Sequence, residues 1–291
     1  THQLCDAAAT RQLSHDAVAA AGRLAAALDR VATSAAVSIA LAENIAGDRR
    51  VAHVELAPRA RVDAGALSRA GAEAALAGIS ARDMETGQPV HAGDPVIADP
   101  LAAIAGERAG GATLRRHAES FFQANRFLLP GLVTAVAEAT PESGEVLDLY
   151  AGVGLFSVTL AALGRLEITA VEGDRSSGAD LRENARAQSP RLVAHVESVE
   201  GYLARATGKP PATLIVDPPR TGLSKDAAAG ILRLRPARIV YVSCDPPTLA
   251  RDARRLLDAG YTLDSVRAFD LFPNTPHVET LAILTSHARD S

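Results

Sequence analysis

The stretch VLDLYAGVGLFS, residues 146–157, joins a short apolar segment to a helix-like segment through a turn that contains Gly152 and Gly154. A strand, a glycine turn and a helix in this order are typical of the first unit of a sheet that binds nucleotide-like ligands. Glycines in such a turn let the backbone approach a ligand closely. The stretch therefore predicts an α/β fold with a binding site at the carboxyl end of this strand.

The rest of the C-terminal half repeats this alternation. Short apolar segments predict strands, and the amphipathic segments between them predict helices. The predicted strands cover residues 145–149, 166–171, 213–216 and 238–243, and the predicted helices cover residues 155–163, 176–188, 224–234 and 248–259. Alternation of this kind predicts a doubly wound, Rossmann-like parallel sheet, which we assign to a domain of residues 112–291.

The N-terminal part, residues 1–111, is rich in alanine and carries no chemical motif. Its pattern predicts a helix from Ser14 to Val31, strands at residues 35–42 and 50–56, a second helix at residues 64–79, and a linker at residues 106–111. We therefore expect a smaller N-terminal α+β domain ahead of the doubly wound sheet.

Polar residues follow each of the four predicted C-terminal strands. In a parallel sheet the carboxyl ends of the strands lie on one edge, and ligands bind there. The polar clusters are Asp148 to Gly154, Glu172, Asp217-Pro-Pro-Arg220 and Ser243-Cys244-Asp245. We therefore expect the four clusters to form one site at that edge.

Two cofactors fit a glycine turn of this kind, a dinucleotide and S-adenosylmethionine. A dinucleotide places its pyrophosphate at the helix N-terminus, but Asp148 would repel phosphate and Ser157 occupies the third glycine position of the dinucleotide fingerprint. The positively charged sulfonium and amino groups of S-adenosylmethionine suit an acidic rim. Glu172 is placed to accept hydrogen bonds from ribose hydroxyls. The pattern favours S-adenosylmethionine, and a turn that serves packing alone is the alternative.

Two residues carry chemistry that suits catalysis. Cys244 follows an apolar strand and precedes a predicted helix N-terminus, a position expected to lower the pKa of the thiol and to favour the nucleophilic thiolate. Glu279 precedes a predicted apolar strand at residues 281–284, where partial burial would raise the pKa of its carboxyl group and suit it to act as a general base. A small buried cysteine and a solvated loop glutamate are the alternative interpretations.

The composition excludes several classes of protein. The chain is 47% hydrophobic and 22% charged, as is ordinary for a globular protein, and no apolar run reaches the ~18 residues of a membrane span. The net charge is −4, and residues 120–291 contain 18 Lys and Arg against 20 Asp and Glu, which argues against a strongly basic nucleic-acid binder. With 3% aromatic residues, an extended base-stacking platform is not expected.

The cysteine content bears on the redox environment and on metals. The chain has two cysteines, Cys5 and Cys244, which are too few and too far apart for a disulfide framework, so we expect a cytoplasmic location. They are also too few for a complete cysteine metal site, and no metal is expected. The chain begins with Thr1, so we expect a segment upstream of it in the natural protein.

Seven segments together resemble the RNA 5-methyluridine methyltransferase family, enzymes that methylate C5 of uracil. In the order of the family they are FFQAN (121–125), VLDLYAGVGLFS (146–157), VEGD (171–174), IVDPPRTGL (215–223), IVYVSCDPPTLARD (239–252), LLDAGY (256–261) and DLFPNTPHVET (270–280). The combination of SCDPPTLARD with HVET downstream is highly specific. The resemblance implies a class I methyltransferase fold, S-adenosylmethionine as the cofactor, and RNA rather than DNA as the partner.

The resemblance also implies a role for each matching residue. Cys244 would be the nucleophile that forms a covalent adduct with a uridine of rRNA or tRNA, and Glu279 would be the base that removes the C5 proton. Arg220 would lie near the target uridine, which must be flipped out or presented in a loop. The residues implied to contact S-adenosylmethionine are Gln123, Tyr150, Gly152, Glu172 and Asp217.

The chain departs from the family at some positions. Asp245 stands where Asn usually follows the nucleophile, and Leu155 stands where relatives often have Asn. HQLC (2–5) resembles the surroundings of the last iron–sulfur cysteine of some members, so Cys5 is interpreted either as an orphaned cluster ligand or as a free surface thiol. The family usually has an N-terminal OB-like RNA-binding domain, and we expect this chain to bind the cofactor but to bind RNA weakly.

Three alternative functions stay open from the sequence. A cytosine-C5 methyltransferase has the same fold and chemistry. An amino-directed methyltransferase has a similar Asp-Pro-Pro turn, but Arg220 stands where its base-stacking aromatic residue would be, and this points to a carbon target. The third alternative is a protein that binds the cofactor or RNA without turnover.

Overall fold

The computed structural model describes residues 7–10, 13–31, 36–123, 125–165 and 167–286. The chain divides into two compact units: unit 1 comprises Thr1–Asp99 and Arg115–Ser120, and unit 2 comprises Pro100–Leu114 and Phe121–Ser291. The predicted domain boundary between residues 111 and 112 lies within Pro100–Leu114, a segment of unit 2. No helix among the described residues combines the length and the apolar character that a membrane span requires.

Unit 1 is built around a four-stranded sheet with the order β1-β2-β3-β4. The β2–β3 pair is parallel, and the β1–β2 and β3–β4 pairs are antiparallel. The elements from the N-terminus are α1 (Ala7–Thr10), α2 (His15–Val31), β1 (Ala36–Glu43), β2 (Arg50–Leu56), α3 (Ala64–Glu73), β3 (Gly78–Asp83) and β4 (Pro89–Gly93), followed by β5 (Val96–Pro100) and β6 (Thr113–His117), which pair separately. Between β5 and β6 lie α4 (Ala102–Ala105) and a 3-10 turn, Glu107–Ala109.

The predicted helix at residues 64–79 is too long. In the structure α3 ends at Glu73, and only the last two residues of the predicted segment belong to β3, an inner strand of the sheet. Ala75 has a positive φ of 56°, which turns the chain out of the helix. The alanine-rich residues 74–77 favour a helix by propensity, so the sequence does not show where the helix ends. The predicted linker at residues 106–111 contains the 3-10 turn.

Unit 2 contains a seven-stranded sheet with the order β12-β13-β11-β10-β7-β8-β9. Its strands are β7 (Val146–Leu149), β8 (Ile168–Glu172), β9 (Leu192–Val196), β10 (Thr213–Val216), β11 (Arg238–Ser243), β12 (Tyr261–Phe269) and β13 (Glu279–Ser286). The first five are parallel, which confirms the predicted doubly wound sheet. The last two are antiparallel additions at one edge, of which β13 contains the predicted strand at residues 281–284 and β12 was not predicted. The strand order reverses between β7 and β10, and this switch point is where such sheets bind ligands.

The helices of unit 2 cover both faces of this sheet. They are α5 (Leu129–Ala139), α6 (Leu155–Ala162), α7 (Arg175–Ala187), α8 (Val199–Arg205), α9 (Lys225–Leu234) and α10 (Pro246–Asp258). One core cluster joins alternate strand residues such as Leu147, Leu149 and Tyr241 to apolar residues of α8, α9 and α10. Neighbouring strand residues, such as Asp148, point to the opposite face, because side chains alternate along a strand. This alternation brings Asp148 to the side of α6, where it bonds to Ser157.

Candidate active site

The carboxyl ends of four parallel strands lie side by side, as predicted. The strands β11, β10, β7 and β8 are consecutive neighbours in the sheet, and their registers place Ser243, Val216, Leu149 and Glu172 at one edge. The residues that follow these strands therefore share one rim. This rim belongs entirely to unit 2.

The turn after β7 holds an unusual backbone in place. Tyr150 has a φ of 59° although it is not a glycine, and Gly152 and Gly154 have φ of 57° and 94°. The Gly152 N–H donates to Glu172 Oε2 at 2.7 Å, and the Asp174 N–H donates to Glu172 Oε1 at 2.6 Å. Glu172 is thus fixed against the turn, and a Cβ atom on Gly152 would meet no heavy atom within 4 Å. Open space therefore lies above the turn, as ligand binding requires.

Asp148 is fully buried at the base of this turn. Its Oδ2 accepts a hydrogen bond from the Ser157 N–H at 3.1 Å, whereas Oδ1 has no partner within the described part of the chain. Burial raises the pKa of the Asp148 carboxyl group to about 7, although the neighbouring Ser157 lowers it. Unpaired polar atoms are rare in protein interiors, and Oδ1 fits a polar group of a ligand.

Cys244 and Glu279 are brought together by strand pairing. In the antiparallel pair β11–β13, Ser243 is opposite Thr280, so the next pair beyond it is Cys244 and Glu279. Glu279 is fully buried, and neither of its carboxylate oxygens has a partner among the residues that the structure describes. Burial raises the pKa of this carboxyl group to about 7. This agrees with the expectation of a buried carboxyl group with a raised pKa.

Asp217 follows β10, which lies between β7, the strand before the glycine turn, and β11, the strand before Cys244. Burial raises the pKa of its carboxyl group well above the usual value, and the nearby charges of Glu279 and Asp148 raise it further. Asp217 is therefore close enough to Asp148, beneath the glycine turn, and to Glu279, at the start of β13, for their charges to act on it. Arg220, at the end of the same Asp-Pro-Pro-Arg segment, is exposed, and its positive charge lies close enough to Cys244 to lower the pKa of the thiol.

The prediction that the position of Cys244 lowers its pKa is wrong. Burial raises the pKa of the thiol, the charge of Glu279 raises it further, and Arg220 is the neighbour that lowers it. The residue next to the thiol, Asp245, is the N-cap of α10 and accepts the hydrogen bond of the Thr248 N–H at 2.8 Å.

The remaining predicted residues are placed as follows. Gln123 is buried, and its Oε1 has no partner within the described ranges. Asn125 donates from Nδ2 to the carbonyl oxygen of Leu271 at 3.2 Å, which ties this segment to the loop before β13. Cys5 lies outside the described residues. Within those residues, no group of three or more His, Cys, Asp or Glu side chains is arranged to hold a metal ion.

Sequence reasoning missed one residue near the site, Asp252. It is buried in α10 and accepts a hydrogen bond from the Leu223 N–H, in the loop that follows Arg220. A signal for it was present, because Asp252 lies on the apolar face of an amphipathic helix, with Leu249 and Leu256 three and four residues away. A charged residue on such a face needs buried hydrogen-bond partners.

Comparison with known proteins gives a family match over part of the chain and several related sequences. Residues 210–287 match the model of the family described as tRNA (Uracil-5-)-methyltransferase. The chain is 40% identical over 168 residues to a 23S rRNA (uracil(747)-C(5))-methyltransferase of Pyrococcus abyssi, and 38% identical over 173 residues to a tRNA (uracil(54)-C(5))-methyltransferase of the same organism. Each alignment covers 58% of this chain and 39% of the relative, so the chain spans about two fifths of the length of these curated relatives.

A solved structure extends the similarity to almost the whole chain. The crystal structure of the Pyrococcus abyssi tRNA (uracil-54, C5)-methyltransferase in complex with S-adenosyl-L-homocysteine superposes with a TM-score of 0.70. It is 25% identical and covers 94% of this chain and 67% of that chain. The predicted resemblance and the predicted class I methyltransferase fold are confirmed by these matches.

Proposed function

We propose that this chain, whose residues 210–287 match the tRNA (Uracil-5-)-methyltransferase family, carries the catalytic part of an RNA uracil-C5 methyltransferase that uses S-adenosylmethionine. The observation that carries the proposal is that Cys244 and Glu279 flank the last strand pair, Ser243 and Thr280, with the charge of Arg220 close to the thiol. A nucleophile, a buried base and a cation in one site are the groups that methylation of an unactivated pyrimidine carbon requires.

The glycine turn and its surroundings fit S-adenosylmethionine. Glu172 accepts two backbone hydrogen bonds and keeps further lone pairs for ribose hydroxyls. The unpaired oxygens of Asp148 and Gln123 suit donors such as the amino group of the cofactor. The acidic groups around the rim favour the positive charge of the sulfonium, whereas they would oppose a pyrophosphate. Tyr150 and Asp217 complete the set of residues that we propose to contact this cofactor.

The chemistry follows from the reactivity of uracil, whose C5 is a weak nucleophile. The Cys244 thiolate adds to C6, and the electron pair of the C5–C6 double bond moves toward C5 and O4. The bound cofactor supplies the methyl group that C5 takes up. Glu279 then removes the C5 proton, the electron pair restores the C5–C6 double bond, and the thiolate leaves. The covalent step divides one difficult reaction into two easier ones.

The substrate is proposed to be a uridine of rRNA or tRNA, as the names of the relatives indicate. Attack on C6 requires access to the face of the ring, which is closed in a base stack. The uridine must therefore be flipped out of a helix or presented in a loop. Arg220 is proposed to lie beside it, since its charge already acts on the thiol that would attack the ring.

The test is trapping with RNA in which 5-fluorouridine replaces uridine, using rRNA and tRNA transcripts. Fluorine at C5 leaves no proton for Glu279 to remove, so the adduct persists through denaturing electrophoresis. With S-adenosylmethionine present, we expect a covalent adduct that peptide mass analysis maps to Cys244. Cys244→Ala is expected to form no adduct and to keep its affinity for S-adenosylmethionine in calorimetry.

Two results would contradict the proposal. One is the absence of an adduct with every transcript, and the other is an adduct that persists in the Cys244→Ala variant. Nucleoside analysis of ordinary RNA after the reaction distinguishes the alternatives, because 5-methyluridine, 5-methylcytidine and N-methylated bases separate by mass and retention.

A further inference from the structure

Asp252 is a buried carboxylate at the centre of a hydrogen-bond network beside the proposed site. Its side chain is about 1% exposed. Oδ2 accepts from the Leu223 N–H at 2.8 Å and from the Tyr241 hydroxyl at 2.9 Å, and Oδ1 accepts from Arg251 Nε at 3.0 Å and Arg255 Nη1 at 3.2 Å. Hydrogen bonds from four residues to one buried carboxylate offset the free energy of its desolvation.

The network holds the loop between β10 and α9 directly on α10. Arg251 Nη2 donates to the carbonyl oxygen of Thr221 at 2.8 Å and to Asp252 Oδ2 at 3.1 Å. A Cβ atom on Gly222 would lie 2.3 Å from Thr248 Cγ2 and 2.4 Å from Asp252 Oδ2. The loop is thus bonded to α10 on both sides of Gly222, and the contact leaves no room for a side chain between them.

This loop begins at Arg220, the cation whose charge acts on the Cys244 thiol, and α10 begins two residues after Cys244. We propose that Asp252, with Arg251, is a positioning residue that docks the loop on α10 and so holds the Arg220 guanidinium against the Cys244 thiol. The proposal rests on the proposed function only in taking Cys244 as the nucleophile. Neither Asp252 nor Arg251 takes part in the chemistry itself.

The charges around the thiol explain why the position of Arg220 matters. Glu279 from β13 and Asp217 from the end of β10 both raise the pKa of Cys244, in addition to its burial. Asp245, next to Cys244, is a further carboxylate nearby. The hydrogen bond from the Thr248 N–H lowers the pKa of Asp245, and the charges of His277 and Arg220 lower it further. Since Arg220 is the group that lowers the pKa of the thiol, its displacement would reduce the thiolate fraction at neutral pH.

The test is the pH dependence of alkylation of Cys244 by iodoacetamide, measured by mass spectrometry in a Cys5→Ser background. Asp252→Asn is expected to move the midpoint upward by about 0.5–1 pH unit, and to slow alkylation below the midpoint about three- to tenfold. Arg220→Gln is expected to give a shift of the same size. The double variant is expected to shift no further than Arg220→Gln alone, because Asp252 acts through Arg220.

A second pair of variants keeps the proposal testable if Asp252→Asn fails to fold. Arg251→Gln removes the bond to Thr221 from a side chain that is 46% exposed, and is expected to shift the midpoint in the same direction. Arg254→Gln is the matched control, because Arg254 lies on the same helix and pairs with Asp258 at the surface. It is expected to leave the profile unchanged.

The outcomes separate this proposal from the proposed function. Alkylation needs neither RNA nor the cofactor, so a protein that fails to methylate RNA but shows the shifts contradicts only the proposed function. A folded Asp252→Asn or Arg251→Gln variant with the pH profile of the parent overturns the positioning role. The positioning role is also overturned if the pH shifts of Asp252→Asn and Arg220→Gln add in the double variant.

Discussion

Glu279 shows how one buried residue makes the protein sensitive to pH. Its carboxylate has no partner among the described residues, and burial raises the pKa of the group from 4.5 to about 7. The folded protein therefore binds this proton more tightly than the unfolded chain does. The stability that the protonated group contributes is present below pH 4.5 and is lost as the pH rises through 7.

Glu279→Gln is expected to raise the free energy of unfolding at pH 8 by about 2–3 kcal/mol, because the amide carries no charge to be desolvated. At pH 5 the gain is expected to be below about 1 kcal/mol, since the native glutamate is already protonated. Urea unfolding at the two pH values measures both numbers. Glu183→Gln, at an exposed position, serves as the control and is expected to show little change at either pH. Equal gains at pH 5 and pH 8 would contradict the raised pKa.

At the scale of one element, the turn between β7 and α6 uses its two glycines differently. Both have positive φ, but a Cβ on Gly152 would meet open space, whereas a Cβ on Gly154 would lie 2.6 Å from Val158 Cγ2 and 2.9 Å from Leu181 Cδ1. Gly152 keeps the turn open toward the proposed cofactor. Gly154, the residue before α6, lets that helix start against α7.

Gly154→Ala is therefore expected to lower the free energy of unfolding by about 2–4 kcal/mol, as the sum of backbone strain and overpacking. Gly152→Ala has the strain without the overpacking, and is expected to lower it by about 1–2 kcal/mol. Chemical unfolding of the two variants beside the parent protein gives the comparison. If the two substitutions proved equally destabilising, packing behind Gly154 would not be the reason for that glycine.

The helix α10 also explains why a cluster of arginines does not make a basic surface. Arg251 and Arg255 bond to Asp252, and Arg254 pairs with Asp258. Each of these three arginines is thus paired with a carboxylate of the same helix. The cluster therefore serves the structure of the site more than it attracts phosphate.

At the scale of the whole molecule, the charge balance limits the affinity for RNA. The chain carries a net charge of −4, with 30 Lys and Arg against 34 Asp and Glu. Long-range attraction to a polyanion is correspondingly small.

We expect this chain to bind bulk tRNA with a Kd weaker than about 1 μM at 150 mM salt, within the range of non-specific binding. The salt dependence is expected to correspond to few phosphate contacts, with a loss well below ~10³-fold between 50 and 200 mM salt. Fluorescence anisotropy across that range, with and without S-adenosylmethionine, makes the measurement. Nanomolar binding with a steep salt dependence would contradict the expectation.

Much of unit 2 is determined by local features of the sequence. The strands at 213–216 and 238–243 were predicted with the bounds that the structure shows, because short apolar segments between polar turns form buried strands. The strand at 281–284 was predicted within β13, whereas β3, β9 and β12 were missed. Most residues of β12 are exposed, so no buried face marks this strand in the sequence.

The sequence by itself determined the alternation of strands and helices in unit 2, the glycine turn after β7, and the identity of the residues that follow each strand. Only the tertiary structure decided that Cys244 stands opposite Glu279, 35 residues away along the chain, and that Asp252 supports the loop of Arg220. It also decided the direction in which the thiol pKa moves. Helices, turns and strand segments depend on neighbouring residues, whereas strand register, burial and pKa depend on groups that only folding brings together.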